Sequence, residues 1–162
     1  MLFRSLLPPA INYTDELTSP GSEKIRLRHV SVINSLRENK RVYNVKERIG
    51  FYIEFELLES SDDIVLGFNL FNHADVHILT SHDLSSVGRK YGKGFYNTTV
   101  WIEPNFLAEG DYYCGVAAMS YEPFFIHFHD INKFSFNVVD HGGGDTARGS
   151  YLGHLPGVVR PK

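Results

Sequence analysis

The chain has 162 residues, of which 43% are hydrophobic, 14% aromatic and 22% charged, and its formal net charge is −3. This composition indicates one globular domain with its own core, and the weak, evenly spread charge argues against nucleic acid as a partner. The single cysteine excludes a framework of intrachain disulfides, and no apolar run approaches the roughly 20 residues of a membrane span. The N-terminal MLFRSLLPPA is too short and too broken by proline for a secretion signal, so we expect a cytoplasmic protein.

The chain begins with a lead-in rather than a predicted strand. Residues 1–22 contain three prolines and no hydrophobic period, which predicts a linker. The strand EKIRLRHVSVIN follows, and its apolar phase shifts between Leu27 and Val30, which indicates a bulge. Residues 49–57 then alternate apolar and polar side chains, as a strand with one buried face does.

Turn signals separate the remaining short strands. SSDD at 60–63 and NHAD at 72–75 are predicted turns, and 85–94 is a polar, glycine-rich loop. No segment keeps a helical period for three turns. About eight short strands in this arrangement predict an all-β fold, an immunoglobulin-like antiparallel β-sandwich over residues 23–140.

One local motif supports that fold class. In LAEGDY at 107–112 a leucine and a glycine precede a tyrosine at the start of a strand. This spacing predicts a tyrosine corner, in which the Tyr112 hydroxyl closes onto the backbone of the preceding loop. The alternative is an ordinary core tyrosine.

The composition changes after residue 140. GGGD at 142–145 is a flexible joint, and the residues beyond it include Tyr151, Leu152 and Val159. That is too much apolar surface for a solvated tail. We therefore expect 141–162 to be a hinge and a segment that docks on folded protein.

Motifs for the common enzymatic mechanisms are missing. GRKYGKG at 88–94 has neither the spacing nor the following helix of a phosphate-binding P-loop, and no G-x-S-x-G elbow occurs. Cys114 lies within a strand, where a small buried hydrophobe is expected, and Glu54 and Glu56 are expected on a solvated face. We expect no enzymatic activity and no cofactor.

The segment FFIHFHD at 124–130 could bind a metal. His127 and His129 share a face if the segment is extended. A third ligand would have to come from His77, His82 or Asp130. The favoured interpretation is a half-buried strand with Ile126 and Phe128 inward and both histidines on the polar side.

Outward strand positions supply groups that suit sugars. Sugar rings stack on aromatic faces, and their hydroxyls meet planar polar side chains. Trp101 faces outward if Val100 and Ile102 face inward; the alternatives are packing under a loop or at a subunit contact. The predicted carbohydrate-binding residues are Asn69, Phe71, His77, Trp101, His127 and His129.

Together these segments resemble a known family. GFNLFNHADVHILTSHD, VWIEPNFLAEGDYYCGVAAMS, IHFHDINKFSFNVVD and above all DTARGSYLGHLPGVVRP are similar to the C-terminal domain of Wzt-type ATP-binding subunits of polysaccharide-export ABC transporters. The resemblance covers about 24–162. It implies an immunoglobulin-like sandwich that binds the non-reducing terminus of a lipid-linked O-antigen glycan and couples it to export by the membrane partner, Wzm.

The resemblance also implies a homodimer formed by exchange of C-terminal segments. The family's full-length proteins begin with a nucleotide-binding domain, which makes them ABC ATPases peripheral to the inner membrane. These 162 residues contain no such domain, so we expect a C-terminal portion and carry over no ATPase residue. Two alternatives stay open: a metal-dependent β-sandwich enzyme using His127 and His129, and a purely structural dimerisation domain.

Overall fold

The computed structural model describes residues 7–161, and within them the chain is almost entirely β-structure. The strands are β1 (Ala10–Asn12), β2 (Ile25–Ile33), β3 (Val42–Asn44), β4 (Ile49–Leu57), β5 (Ile64–Asn72), β6 (His77–Asp83), β7 (Gly94–Ile102), β8 (Gly110–Tyr121) and β9 (Phe124–Val139). A short 3-10 turn follows β6. No helix in this range is long and apolar enough to cross a membrane.

The strands form two sheets packed face to face. The four-stranded sheet has the order β1-β2-β4-β7, and the five-stranded sheet has the order β3-β9-β8-β5-β6. Neighbouring strands are antiparallel except β3 and β9, which are parallel. The predicted all-β immunoglobulin-like sandwich is confirmed, with nine described strands rather than about eight.

Alternating side chains fill the space between the sheets. Phe51 and Ile53 of β4 face Phe68 and Leu70 of β5, and all four are almost completely buried. The rings of Phe51 and Phe68 stack with their centroids 4.2 Å apart. This contact joins the two sheets at the centre of the core, where aromatic pairs add to the stabilisation from buried area.

The start of the described chain is tied to both sheets. β1 pairs with β2, although the sequence predicted only a linker there. The carbonyl of Pro8 accepts a hydrogen bond from the Ser135 amide of β9 at 3.0 Å, and the carbonyl of Pro9 accepts one from the Val32 amide of β2 at 2.9 Å. Adjacent residues therefore bond to opposite layers of the sandwich.

Two local predictions are confirmed. The register of β2 against β4 shifts between Leu27 and His29, where the apolar phase indicated a bulge. The buried Tyr112 hydroxyl donates to the Ala108 carbonyl at 2.8 Å, which closes the predicted tyrosine corner. Desolvation by burial raises the pKa of Tyr112 to about 12, so the hydroxyl keeps its proton as a donor.

The C-terminal segment docks on the loop that leads into β8. Leu107 and Val159 form an antiparallel bridge, and the Ala108 amide donates to the Val158 carbonyl at 2.9 Å. The predicted docking is therefore seen, here onto the same chain. Exchange of the segment between two chains stays a prediction.

An ion-pair cluster holds the same segment. The Glu109 carboxylate accepts hydrogen bonds from Arg148 at 2.6 Å and from Arg160 at 3.4 Å, and both guanidinium groups are largely buried. Burial raises the pKa of Glu109, but hydrogen bonds from its own backbone amide and from the two arginines outweigh this, and the net pKa is lowered. The carboxylate is therefore held in its charged form.

Candidate functional site

The six predicted binding residues fall in three separate places. Four lie on the outer face of the five-stranded sheet: Asn69, Phe71, His77 and His129. Trp101 lies on the outer face of the four-stranded sheet. His127 lies in a buried polar cluster at one end of the sandwich. The structure therefore brings four of the six to one surface.

A β-bulge separates the two histidines of FFIHFHD. In β9, Phe128 opposes Ala118 and Ile126 opposes Met119, so His127 is an extra residue without a partner of its own. His127 is 7% exposed, whereas Ile126 is 50% exposed. The predicted orientations of Phe128, inward, and His129, outward, agree with the structure. Those of Ile126 and His127 are wrong, because an extra residue interrupts the alternation of the strand.

His127 bridges two serine hydroxyls. Its Nδ1 lies 2.9 Å from Ser22 Oγ, and its Nε2 lies 2.9 Å from Ser120 Oγ. Desolvation by burial lowers the pKa of His127, while the nearby Asp63 carboxylate acts in the opposite direction. A neutral ring with one donor and one acceptor nitrogen satisfies both hydroxyls.

The other proposed metal ligands do not gather around His127. His82 Nδ1 lies 2.6 Å from the Tyr121 hydroxyl, and Asp130 accepts a 2.7 Å hydrogen bond from the Tyr13 hydroxyl. Among residues 7–161, no three His, Cys, Asp or Glu side chains are placed to hold one metal ion. The metal-enzyme hypothesis therefore has no geometric basis in His127 and His129.

The outer face of the five-stranded sheet carries a shallow depression of about 170 Å³. Its floor consists of small residues on neighbouring strands, because Gly67 of β5 pairs with Ala117 of β8. A side chain at Gly67 would be crowded: an added Cβ would lie 3.3 Å from both His82 and Met119. The depression is lined by Gly67, Asn69, His82, Ala117, Met119, Phe124, Ile126 and His129.

Three polar side chains border this depression. Asn69 is 8% exposed, and its Oδ1 accepts from Thr80 Oγ1 at 2.9 Å, which orients the carboxamide. His82 is held by Tyr121 across the sheet. The exposed His129 makes no hydrogen bond to another described side chain or backbone group, so both of its ring nitrogens can meet a ligand.

Apolar side chains border the same depression. Phe124 is 65% exposed and Ile126 is 50% exposed, although both belong to a well-formed strand. Further along the face, the Phe71 ring stacks on His77 with centroids 4.5 Å apart. Exposed apolar groups beside oriented polar groups are typical of binding surfaces.

Sequence reasoning identified only two of the eight residues that line the depression, Asn69 and His129. His82 entered only as a possible metal ligand, and Phe124 and Ile126 were not among the predicted binding residues. The glycine at position 67, within a mostly apolar strand, was the available signal of a close approach on that face.

Trp101 has a different environment from the other predicted residues. Its ring lies directly against Gly50, where an added Cβ would be 2.7 Å from Trp101 Cζ3. The guanidinium of Arg48 lies 4.5 Å from the ring centroid. Trp101 therefore takes part in intramolecular packing and a cation–π contact on the opposite sheet.

The fold and this face define an all-β sandwich domain that presents a polar and aromatic surface on one sheet. The chain belongs to the Wzt C-terminal domain family, whose model matches residues 16–151. Membership of this family supports a carbohydrate-binding role in polysaccharide export by an ABC transporter. No curated protein sequence matches the chain.

One solved structure shows the same fold, and two others are more distantly similar. A crystal structure of the C-terminal domain of Wzt aligns with a TM-score of 0.66 at 11% identity, covering 86% of this chain and 81% of that chain. The CARDB domain of a Pyrococcus furiosus protein in complex with di-metal ions is more distant, with a TM-score of 0.46, 14% identity and coverage of 80% and 100%. Pseudomonas fluorescens alkylpurine DNA glycosylase AlkC, bound to DNA containing an abasic site analog, has a TM-score of 0.45, 12% identity and coverage of 71% and 30%.

Proposed function

We propose that this domain binds the non-reducing terminus of a lipid-linked O-antigen polysaccharide on the outer face of the five-stranded sheet. The observation that carries the proposal is the depression above Gly67 and Ala117, with oriented polar groups and exposed apolar groups around it. Family membership supports the ligand class. The choice of face rests on the residues described above.

The chemistry of the depression suits a sugar. The C–H face of a sugar ring packs against apolar and aromatic side chains, here Phe124 and Ile126. Sugar hydroxyls both donate and accept, so they can pair with the Asn69 carboxamide and with the imidazoles of His82 and His129. The choice of the chain terminus as the recognised part is taken from the family resemblance.

The proposal assigns recognition, and no catalytic step, to this domain. In the full-length protein, binding of the finished glycan end would couple chain termination to export by the transporter's membrane subunit. The protein would act in the cytoplasm, at the inner membrane. Partners would be the glycan terminus, a second copy of the chain through residues 141–162, and that membrane subunit.

The test is a titration with the terminal oligosaccharide of the host cell's own O antigen. A matched oligosaccharide that lacks the terminal residue serves as the comparison. Calorimetry should give binding to the complete fragment alone, and NMR should give shifts of the Gly67, Ala117 and His129 amides. Replacing His129 by alanine should weaken the affinity about two- to tenfold, the effect of losing one neutral hydrogen bond.

A variant on the opposite sheet distinguishes the two faces. Trp101→Ala should keep the wild-type affinity, because Trp101 lies on the four-stranded sheet. Equal binding of the complete and the trimmed oligosaccharide would contradict terminus recognition. A loss of affinity in Trp101→Ala with none in His129→Ala would move the site to the other sheet.

A further inference from the structure

A pocket on the outer face of the four-stranded sheet has no part in the function proposed above. Its volume is about 320 Å³, and it is lined by His29, Ser31, Ile33, Arg37 and Tyr52. Ser31 of β2 pairs with Tyr52 of β4, and the neighbours of Ser31, Val30 and Val32, are buried in the core. Alternation therefore turns Ser31 away from the core and toward this pocket, which we call the Arg37 pocket.

Arg37, in the loop after β2, has an unusual backbone conformation. Its φ of 63° lies in the left-handed region, which a residue with a long side chain rarely adopts. The other non-glycine residues with positive φ in the described range 7–161 are of the two types that tolerate this region, Asn and Asp: Asp75, Asn105 and Asn132. An arginine in this conformation costs stability, and such strain is concentrated at functional sites.

The loop that carries Arg37 is held in this conformation by Asn34. The Asn34 Oδ1 accepts hydrogen bonds from the amides of Leu36 and Glu38, both at 2.9 Å. The Asn34 Nδ2 donates to Glu38 Oε2 at 2.8 Å, and the Arg37 amide donates to the Asn34 carbonyl at 3.0 Å. The backbone of Arg37 is therefore ordered before any ligand arrives, which lowers the entropy cost of binding.

Two hydrogen-bond donors at the pocket are unused. Arg37 is exposed, and its guanidinium has no hydrogen-bond or ion-pair partner among residues 7–161. Ser31 is only 4% exposed, and its hydroxyl has no partner in that part of the chain either. Buried hydroxyls are nearly always hydrogen-bonded, so an acceptor from outside the chain, water or a ligand, is expected there. The Tyr52 hydroxyl, in contrast, already donates to Glu54 at 3.0 Å.

We propose that the Arg37 pocket binds the carboxylate group of a small organic ligand. A guanidinium presents two parallel N–H donors that match the two oxygens of a carboxylate, and the Ser31 hydroxyl is a third donor at the same pocket. The rings of His29 and Tyr52, whose centroids are 5.9 Å apart, offer apolar surface to the rest of the ligand. The volume falls at the small end of ligand pockets, which hold roughly 300–1,000 Å³.

The charges near the pocket select the kind of anion. Glu54 lies beside the Tyr52 hydroxyl, and Glu38 follows Arg37 in the chain. Desolvation by burial lowers the pKa of His29, although Glu54 acts in the opposite direction, and the ring is neutral at neutral pH. Arg37 is then the one positive charge among the lining residues. Two nearby acids repel a doubly charged group such as phosphate more strongly than a singly charged carboxylate.

The test is NMR of the isotope-labelled protein, titrated with sodium benzoate while sodium chloride keeps the ionic strength constant. Benzoate should give saturable shifts of the Ser31, Arg37 and Tyr52 amides at about millimolar concentration, without shifts at Gly67 and Ala117 on the opposite sheet. Benzamide, which has nearly the same shape and no charge, should give none. Sodium phosphate should bind more weakly than benzoate.

A glycine variant separates binding from folding. Arg37→Gly removes the guanidinium and suits a positive φ. It should weaken benzoate binding at least about tenfold, the effect of losing a charge-assisted hydrogen bond. The thermal midpoint should stay at or above that of the wild type, because relief of backbone strain offsets the greater freedom of the unfolded chain. The matched control Arg89→Gly removes an exposed arginine from another loop and should keep the wild-type affinity.

Four results would overturn the proposal. These are the absence of saturable benzoate shifts at the pocket, equal affinities of the wild type and Arg37→Gly, equal shifts with benzamide, and tighter binding of phosphate than of benzoate. The last result would assign the pocket to a phosphate group instead. None of them depends on oligosaccharide binding at the outer-face depression, so this proposal and the proposed function can fail separately.

Discussion

His127 joins two parts of the chain that are distant in sequence. Through its two ring nitrogens it connects Ser22, just before β2, with Ser120, near the end of β8. The hydrogen bond to Ser120 is buried and the one to Ser22 is partly buried, and a neutral ring can make both. His127 therefore links two distant segments of the fold, and the sequence alone suggested a surface residue because the bulge in β9 leaves no local signal.

The protonation of His127 should make stability depend on pH. Burial lowers the pKa of His127 below its ordinary value of 6.5. As the pH falls below 6.5, the unfolded chain binds this proton before the folded chain does, and the free energy of unfolding decreases by about 1.4 kcal/mol for each unit by which the pKa is lowered. Chemical denaturation between neutral and mildly acidic pH should show this loss.

The variant His127→Gln isolates the effect of this residue. Glutamine can bond to serine hydroxyls but does not titrate, so the variant should lose less stability on acidification than the wild type. His29, whose pKa is also lowered by burial, is present in both proteins and cancels in the comparison. An identical pH dependence in the two proteins would show that His127 is not the titrating group.

At the scale of the element, the tyrosine corner ties β8 to the loop before it. The Tyr112 ring stacks on Phe136 of β9 with centroids 5.4 Å apart, and its hydroxyl reaches the Ala108 carbonyl. Tyr112→Phe keeps the ring but leaves that buried carbonyl without this donor. We expect a loss of about 1–3 kcal/mol in the free energy of unfolding, measured by chemical denaturation.

A second tyrosine provides the comparison. Tyr52 donates to Glu54 at 3.0 Å on the half-buried outer face of β4. Tyr52→Phe should cost less than Tyr112→Phe, because water can replace the lost hydrogen bond there. Equal costs would mean that the corner contributes no more than a surface contact.

Strands and motifs were predictable from the sequence where they depend on residues close together in the chain. The alternation in β4, the phase shift in β2 and the spacing before Tyr112 each depend on neighbouring residues, and each prediction is confirmed. β1 was missed because three residues beside prolines form a strand only when β2 is present to pair with them. The parallel pairing of β3 with β9 was missed because it joins residues nearly a hundred positions apart.

The candidate site depended on contacts between residues that are distant in the sequence. Placing Asn69 and His129 on one surface requires the order of β5, β8 and β9 in the sheet, which the sequence does not state. Trp101 was assigned to the same face because both faces of a sandwich present outward residues, and alternation cannot tell one sheet from the other.

At the scale of the whole molecule, the prediction concerns whether the C-terminal segment docks on its own chain or on a second chain. Its bridge to Leu107 and its arginine pairs to Glu109 could be made within one chain or, by rotation at the glycine joint, to a second chain. We expect the intact protein to be a dimer and the protein lacking residues 142–162 to be a monomer. Light scattering after size-exclusion chromatography measures the mass of both.

Folding of the shortened protein must be checked in the same experiment. Its circular dichroism should retain the β-sheet signal, because the core between the two sheets lies outside the deleted segment. A folded dimer that persists without residues 142–162 would contradict exchange of this segment. A monomeric intact protein would contradict it as well.

The hydrogen bonds of Pro8 and Pro9 determine which strands receive a pulling force that is applied to the N-terminal part of the chain. Tension applied to the chain before Ala10 reaches Ser135 in one layer and Val32 in the other through two successive carbonyls. The load is therefore shared by both layers and does not peel a single edge strand away. Displacement of this segment would move the sandwich as one rigid body, together with any ligand held on its outer face.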